Sequence, residues 1–233
     1  MYLDCAGKIL DLSQPVVMGV LNITPDSFSD GGSYFSLIEA LYRAEIMMEE
    51  GAAIIDIGGE STRPGASPIS VQEELDRVLP VVERLARELP IPVSVDTSKP
   101  EVMREAACAG VGLINDVWAL RQPGALEVVA ASGLPVCLMH LQGEPVTMQQ
   151  EPRYADAVAE VYAFLADRVG ACENVGIPRN RILVDPGFGF GKTLEHNLAL
   201  LRQLHRFTDL ATGVLVGLSR KSMIGALLGT PVS

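Results

Sequence analysis

The sequence predicts an α/β chain: a (β/α)8 barrel of the TIM type, incomplete, with seven parallel strands and an N-terminal β-hairpin, filling residues 1–233 as a single domain. Three observations carry that expectation. Seven short apolar runs recur and each ends in a polar residue, which is the pattern of parallel strands covered on both faces. All but the last are followed by a helical pattern, so strand and helix alternate. The strand ends recur every ~20–45 residues, the span of one βαβ unit. An open doubly wound sheet is the competing architecture, but it gathers its ligand groups at one switch point, whereas here every strand end is polar.

Residues 2–12 alternate around Gly7-Lys8 and form a small hairpin that plugs one end of the core. Val16 to Leu21 is the first buried strand, ending at Asn22 and followed by a long loop. Ser36-x-x-Glu39 is a capping box for the first helix, with Leu37, Leu41, Ala44 and Met48 at helical spacing. Ala53 to Ile57 is the second strand. Ser70-x-x-Glu73 opens a helix carrying Leu75, Val78, Leu79, Val82 and Leu85, which Pro90 stops. Val93-Ser-Val95 ends at Asp96, and Ser98-x-x-Glu101 offers a third box. Leu113-Ile114 ends at Asn115-Asp116, and Leu134 to Met139 ends at His140. A helix over roughly 154–174 turns Val158, Val161, Leu165 and Val169 inward. Ile182 to Asp185 follows, then a helix with Leu194, Leu198, Leu201 and Leu204. Gly213 to Leu218 is the last strand, ending at Ser219-Arg220-Lys221.

Composition narrows the function. With 48% hydrophobic residues among 233, the chain has ample material for a core. A net charge of −11 argues against a broad nucleic-acid surface and against attraction to anionic lipid. Cys5, Cys108, Cys137 and Cys172 are scattered without paired metal spacing, as in a reduced, cytoplasmic protein. No basic-then-apolar leader opens the chain, and no run reaches membrane-spanning length.

The organising stretch is Ile182-Leu-Val-Asp-Pro-Gly-Phe-Gly-Phe-Gly-Lys192, a buried strand opening through Asp185 into a glycine-rich turn. It superficially resembles a phosphate loop, but only three residues separate Gly187 from Gly191, where four are required. Barrel geometry brings Asn22, Asp56, Asp96, Asn115, Asp185 and Lys221 to one rim. Carboxylates and amides over an apolar floor suit a flat heterocycle rich in N–H donors. The loops 23–35 and 58–69 exceed ordinary connector length and are expected to act as lids.

Asn22-Ile-Thr-Pro-Asp-Ser-Phe-Ser-Asp-Gly-Gly32 and Asp56-Ile-Gly-Gly-Glu-Ser-Thr-Arg-Pro-Gly65 resemble the two signature loops of the bacterial dihydropteroate synthase family. Ser94-Val-Asp96-Thr, Asn115-Asp116, Asp185 to Lys192 and Ser219-Arg-Lys-Ser222 fit the same family in the same order. The resemblance covers the whole chain. It implies a transferase of folate biosynthesis, and a sulfonamide target, that joins a dihydropterin methyl diphosphate to p-aminobenzoate. It further implies that Asp96, Asn115, Met139, Asp185, Phe190 and Lys221 hold the pterin. Asn22 would ligand Mg²⁺, and with Thr62 and Arg63 would meet the diphosphate. Phe28, Arg63, Pro64, Phe190, Ser219 and Ser222 would surround p-aminobenzoate, and Asp96, Lys221 and Arg63 would act in catalysis. Family members are expected to be homodimers.

The match departs from the family at one place. No Arg-x-His pair follows Lys221, although the family carries one on an eighth strand before a closing helix. The chain is accordingly expected to recognise the pterin ring but to turn over poorly. Two other readings stand beside the enzyme: a pterin-binding remnant without catalysis, and a methyltetrahydrofolate-type methyltransferase. The latter would share the pterin carboxylates, but not the first loop or Ser219-Arg-Lys-Ser222.

Overall fold

The structure, a computed structural model, describes residues 1–23, 32–61, 68–143 and 152–229, with 32–36 described by backbone alone. An antiparallel hairpin comes first, β1 (Tyr2–Cys5) and β2 (Lys8–Asp11). The parallel sheet comprises β3 (Val17–Asn22), β4 (Ala52–Gly58), β5 (Val93–Asp96), β6 (Leu113–Asp116), β7 (Val136–Met139), β8 (Ile182–Asp185) and β9 (Gly213–Val214). They pair in chain order, β3 through β9, every step parallel. Between them run α1 (Gly32–Glu49), α2 (Val71–Glu88), α3 (Pro100–Cys108), α4 (Ala125–Ser132), α5 (Ala157–Asn174) and α6 (Leu194–Arg202), and α7 (Ser222–Leu228) follows β9.

The sheet curls about an axis. Ile54 of β4, Leu113 of β6, Cys137 of β7 and Leu183 of β8 converge on a cluster with Leu3, Cys5 and Leu10 of the hairpin. The hairpin is thus the plug at the end where the strands begin. Lys8 reinforces it: Nζ donates to the carbonyls of Ala86 (2.6 Å), Leu89 (2.7 Å) and Ile91 (3.2 Å), just where α2 exposes its negative end.

The helices pack outside the sheet along the faces that their periodicity dictates. Val158, Val161, Leu165 and Val169 of α5 are all buried, each burial contributing roughly 1.5–3 kcal/mol. In α2, Val78, Val82 and Leu85 are buried as expected, while Leu75 and Leu79 are only partly covered.

Several local expectations are corrected. The first helix starts at Gly32, four residues ahead of the Ser36 box. Ser70 does cap α2, accepting the Glu73 N–H at 3.1 Å. Ser98 does not cap α3: Lys99 occupies the N-cap, Pro100 supplies the first turn, and the Ser98 hydroxyl donates to Asp116 instead. β3 is not covered on both faces, since Val17 and Val20 are exposed on an edge of the described sheet. The last strand is shorter than Gly213–Leu218: only Gly213 and Val214 pair in register with β8, and the Leu215 N–H makes one further bond to the Val184 carbonyl at 2.9 Å. Leu201 of α6 faces solvent, because the helix turns Asn197 and Leu200 inward.

Candidate active site

All seven strands leave the sheet at the same end, so their final residues form one rim. Register places Asn22 beside Gly58, Gly58 beside Asp96, and Asp96 beside Asn115; Met139 stands beside Asp185. Gly58 is what keeps this row open. A Cβ there would come within 3.3 Å of Asn22 Oδ1 and 4.0 Å of Asp96 Oδ2, so the missing side chain leaves a gap bordered by an amide oxygen and a carboxylate.

The rim is unusually rich in buried carboxyl groups. Asp56 accepts from Ser94 Oγ at 2.5 Å and from Asn115 Nδ2 at 3.0 Å, the second bond reaching over β5. That contact fixes the Asn115 amide and leaves its oxygen arm for another donor. Burial raises Asp56 above the ordinary carboxylate range, against the pull of those two bonds. Asp96 is pushed further up, first by burial and then by the charges of Asp56, Asp116, Glu74 and Glu60. Asp185, 6% exposed, accepts the Gly187 N–H at 2.7 Å. Burial lifts its carboxyl to about 6, opposed by that N–H and by Lys192 and Lys221. Burial lowers Lys221 from its usual value, and Asp185 opposes the shift.

An apolar floor lies beside these groups. Met139 clusters with Val117 and Leu141, and Trp118 and Phe190 pack against them. Lys221 Nζ sits 4.0 Å from the centre of the Phe190 ring, a cation–π contact that holds the ammonium at the edge of the floor. The rim therefore brings together buried acceptors, an ammonium and an apolar surface. That combination suits a planar ring bearing amide-like N–H groups and a carbonyl.

Two supporting assemblies sit behind the rim. Lys99 bridges Glu60 (2.8 Å) and the fully buried Glu74, and Glu60 Oε1 also accepts the Ile69 N–H at 2.9 Å. One carboxylate thus ties residue 60, within the second signature loop, to residue 69 beyond it, and the ammonium bolts it to α2. The other assembly is the turn after β8, described below. Sequence reasoning gave no role to Glu74, Lys99 or Ser94. The available signal was Glu74 lying between Val71 and Val78 on the inward face of α2, where a charge requires a buried partner.

Of the expected site residues, Asn22, Asp96, Asn115, Met139, Asp185, Phe190 and Lys221 stand at this end of the sheet. Ser219 and Ser222 are exposed on the segment entering α7, flanking Lys221. Phe28, Thr62, Arg63 and Pro64 lie outside the described residues, as do most of the two expected lids. Asp116 proves to be a turn former, accepting from Ser98 Oγ and from the N–H groups of Trp118 and Leu120.

Among the described residues no three His, Cys, Asp or Glu side chains form a metal cluster. The donor present is one hard amide oxygen, Asn22 Oδ1, beside the gap at Gly58. It fits an ion such as Mg²⁺ that keeps most of its waters and takes other ligands from substrate phosphates.

Residues 18–232 match the family model described as pterin binding enzyme. The dihydropteroate synthase of Escherichia coli (strain K12) is 57% identical over 228 residues, covering 98% of this chain and 81% of that protein. The Xanthomonas albilineans dihydropteroate synthase with 4-aminobenzoic acid superposes with a TM-score of 0.92 at 54% identity, over 99% of this chain and 82% of that one. The Yersinia pestis enzyme in a sulfonamide drug complex gives a TM-score of 0.90 at 55% identity, over 99% and 84%. By sequence and by fold, this chain belongs to the pterin-binding enzymes, among the dihydropteroate synthases.

Proposed function

We propose that this single-domain chain joins a 7,8-dihydropterin bearing a methyl diphosphate to p-aminobenzoate, releasing diphosphate and forming dihydropteroate. The observation that carries the residue-level reading is that the buried Asp185 carboxyl and the Lys221 ammonium, which rests on the Phe190 ring, lie close enough for each charge to act on the other. A buried carboxylate that accepts one described N–H has acceptor capacity to spare, and the neighbouring ammonium suits a ring carbonyl.

In this reading Asp96, Asn115 and Asp185 hold the N–H edge of the pterin, Lys221 its carbonyl, and Met139 and Phe190 its face. When bound at Asn22, Mg²⁺ supplies positive charge to the diphosphate oxygens. The C–O bond breaks with its electron pair leaving on diphosphate, and the methylene carbon becomes cationic through conjugation with the ring. Fixed carboxylates, Asp96 above all, stabilise that charge by several kcal/mol where water is excluded. The aromatic amine then forms the C–N bond, and the proton it releases passes to solvent or diphosphate. No strong base is needed, because the nitrogen becomes acidic on bonding. Thr62 and Arg63 are assigned to the diphosphate, and Phe28, Pro64, Ser219 and Ser222 to p-aminobenzoate, on the family resemblance. A cytoplasmic location is assigned on the family resemblance; among the described residues no helix is long and apolar enough to cross a membrane.

The test is to supply the pterin diphosphate, p-aminobenzoate and Mg²⁺ and to look for dihydropteroate by chromatography. Product above the protein-free control, lost in Asp96→Asn, is expected. Pterin binding without any product would favour the binding-remnant reading.

A further inference from the structure

We propose that Lys192 is a positioning residue, whose ammonium holds the turn after β8 against the end of β7 and so sets Phe190 and Lys221 for the pterin ring. The inference rests on the reading that Asp185, Phe190 and Lys221 receive that ring. In sequence, Lys192 closes a stretch that superficially resembles a phosphate loop. In the structure it is only 4% exposed and serves backbone instead. Nζ donates to the Gly187 carbonyl at 2.8 Å, the Phe190 carbonyl at 2.9 Å and His140 Nδ1 at 2.9 Å, with the His140 carbonyl at 3.4 Å. The Lys192 ammonium, which burial brings down to about 7 against the pull of Asp185, therefore joins both ends of the Gly187–Phe190 turn to the residue that follows β7.

The acceptors are held ready for it. Burial and the neighbouring Lys192 charge bring His140 down to about 3, so the ring is neutral and its Nδ1 free to accept. Phe164 meets that ring edge-on at 4.9 Å and fixes its plane. The turn lies hard on the β7 exit: a Cβ on Gly187 would fall 2.0 Å from the His140 carbonyl oxygen, and one on Gly191 2.7 Å from that of Gln142. On the front of the same turn, the Phe190 N–H bonds to the Gly187 carbonyl at 3.1 Å. A Cβ on Gly189 would lie 3.1 Å from Lys221 Cδ, so Lys221 rests directly on this backbone. Removing the ammonium takes its donor from the Phe190 carbonyl, leaves the Gly187 carbonyl only the Phe190 N–H, and lets the turn shift, although Lys192 itself touches no substrate in this reading.

The test uses Lys192→Met and Lys192→Ala in the full chain, with Asp185→Asn as a control for the site. Calorimetric titration with 6-hydroxymethylpterin is expected to show at least a tenfold weaker Kd in Lys192→Met. The KM for the pterin diphosphate should rise in proportion, while kcat at saturation stays within about threefold. In Lys192→Ala, added propylammonium should restore pterin affinity and tetramethylammonium, which has no N–H to donate, should not. Restoration by both or by neither would assign the loss to packing and overturn the proposal. So would loss of a cooperative melt in both variants, which would make Lys192 a general core residue. If Asp185→Asn weakens binding while Lys192→Met leaves it within threefold, the positioning role alone falls. If Asp185→Asn has no effect, the pterin-site reading falls and this inference falls with it.

Discussion

Replacing Asp185 by Asn probes the proposed pterin site most directly, because it alters charge and one acceptor while preserving shape. The carboxylate accepts the Gly187 N–H on Oδ1 at 2.7 Å, and Asn can keep that bond. Its amide nitrogen would then replace Oδ2 and point N–H donors at the N–H edge of the ligand. One charge-assisted hydrogen bond is lost, worth about 1.5–3 kcal/mol, and a second drops to the strength of a neutral bond. Because burial places the wild-type carboxyl at about 6, it is already ionised at pH 7.5 and gives no offsetting ionisation penalty. The net loss is about 3 kcal/mol, or on the order of 100-fold in Kd. Calorimetric titration should show that loss for 6-hydroxymethylpterin, and less than about threefold for p-aminobenzoate measured with the pterin site saturated. Equal losses for both ligands would refute the assignment.

Three further outcomes follow from the same geometry. Asp185 holds its proton more tightly folded, at about 6, than unfolded, at its ordinary 3.8, so the ligand-free protein loses stability as pH rises through that window. The contribution is roughly 3 kcal/mol at 1.36 kcal/mol per unit, and Tm measured from pH 4 to 7 should show a shallower fall in Asp185→Asn than in wild type. Gly187→Ala should cost several kcal/mol, since φ is +70° there and the added Cβ would meet the His140 carbonyl oxygen at 2.0 Å; a denaturant titration will read it. Lys8→Met should lower stability by about 1–3 kcal/mol through three unsatisfied carbonyls at the end of α2, and leave pterin affinity unchanged in the same calorimetric assay.

What the sequence made legible was whatever burial writes as a period. The α5 stripe could be read because Val158, Val161, Leu165 and Val169 have only one apolar face to choose, and all four lie inward. The rim was legible because apolar strands ending in Asn, Asp or Lys repeat along the chain. Choices among competing hydrogen-bond partners were not legible. Ser98 could cap α3 or reach Asp116, and only the neighbouring strand decides that it does the latter. Strand cover was also hidden, since nothing local to Val17 or Val20 tells that β3 lies on a sheet edge. Lys192 is the sharpest case: spacing excludes the phosphate loop that its stretch superficially resembles, but nothing local shows that the fold brings three acceptors to it.

The close seating of the turn after β8 bears on how this site could escape an inhibitor. Its floor at Gly187 and Gly191 is bare backbone, pressed against the carbonyl oxygens of His140 and Gln142. Bulk cannot be introduced at either glycine without displacing main chain on both sides. A compound that takes its affinity from this backbone, and from the Asp185 carboxylate proposed to hold the pterin, would meet a surface with few tolerated substitutions. One that leans on Ser219 or Ser222, exposed beside α7, would face side chains that can change at little structural cost. Resistance is accordingly expected to accumulate on the exposed side of the site before it reaches the buried one.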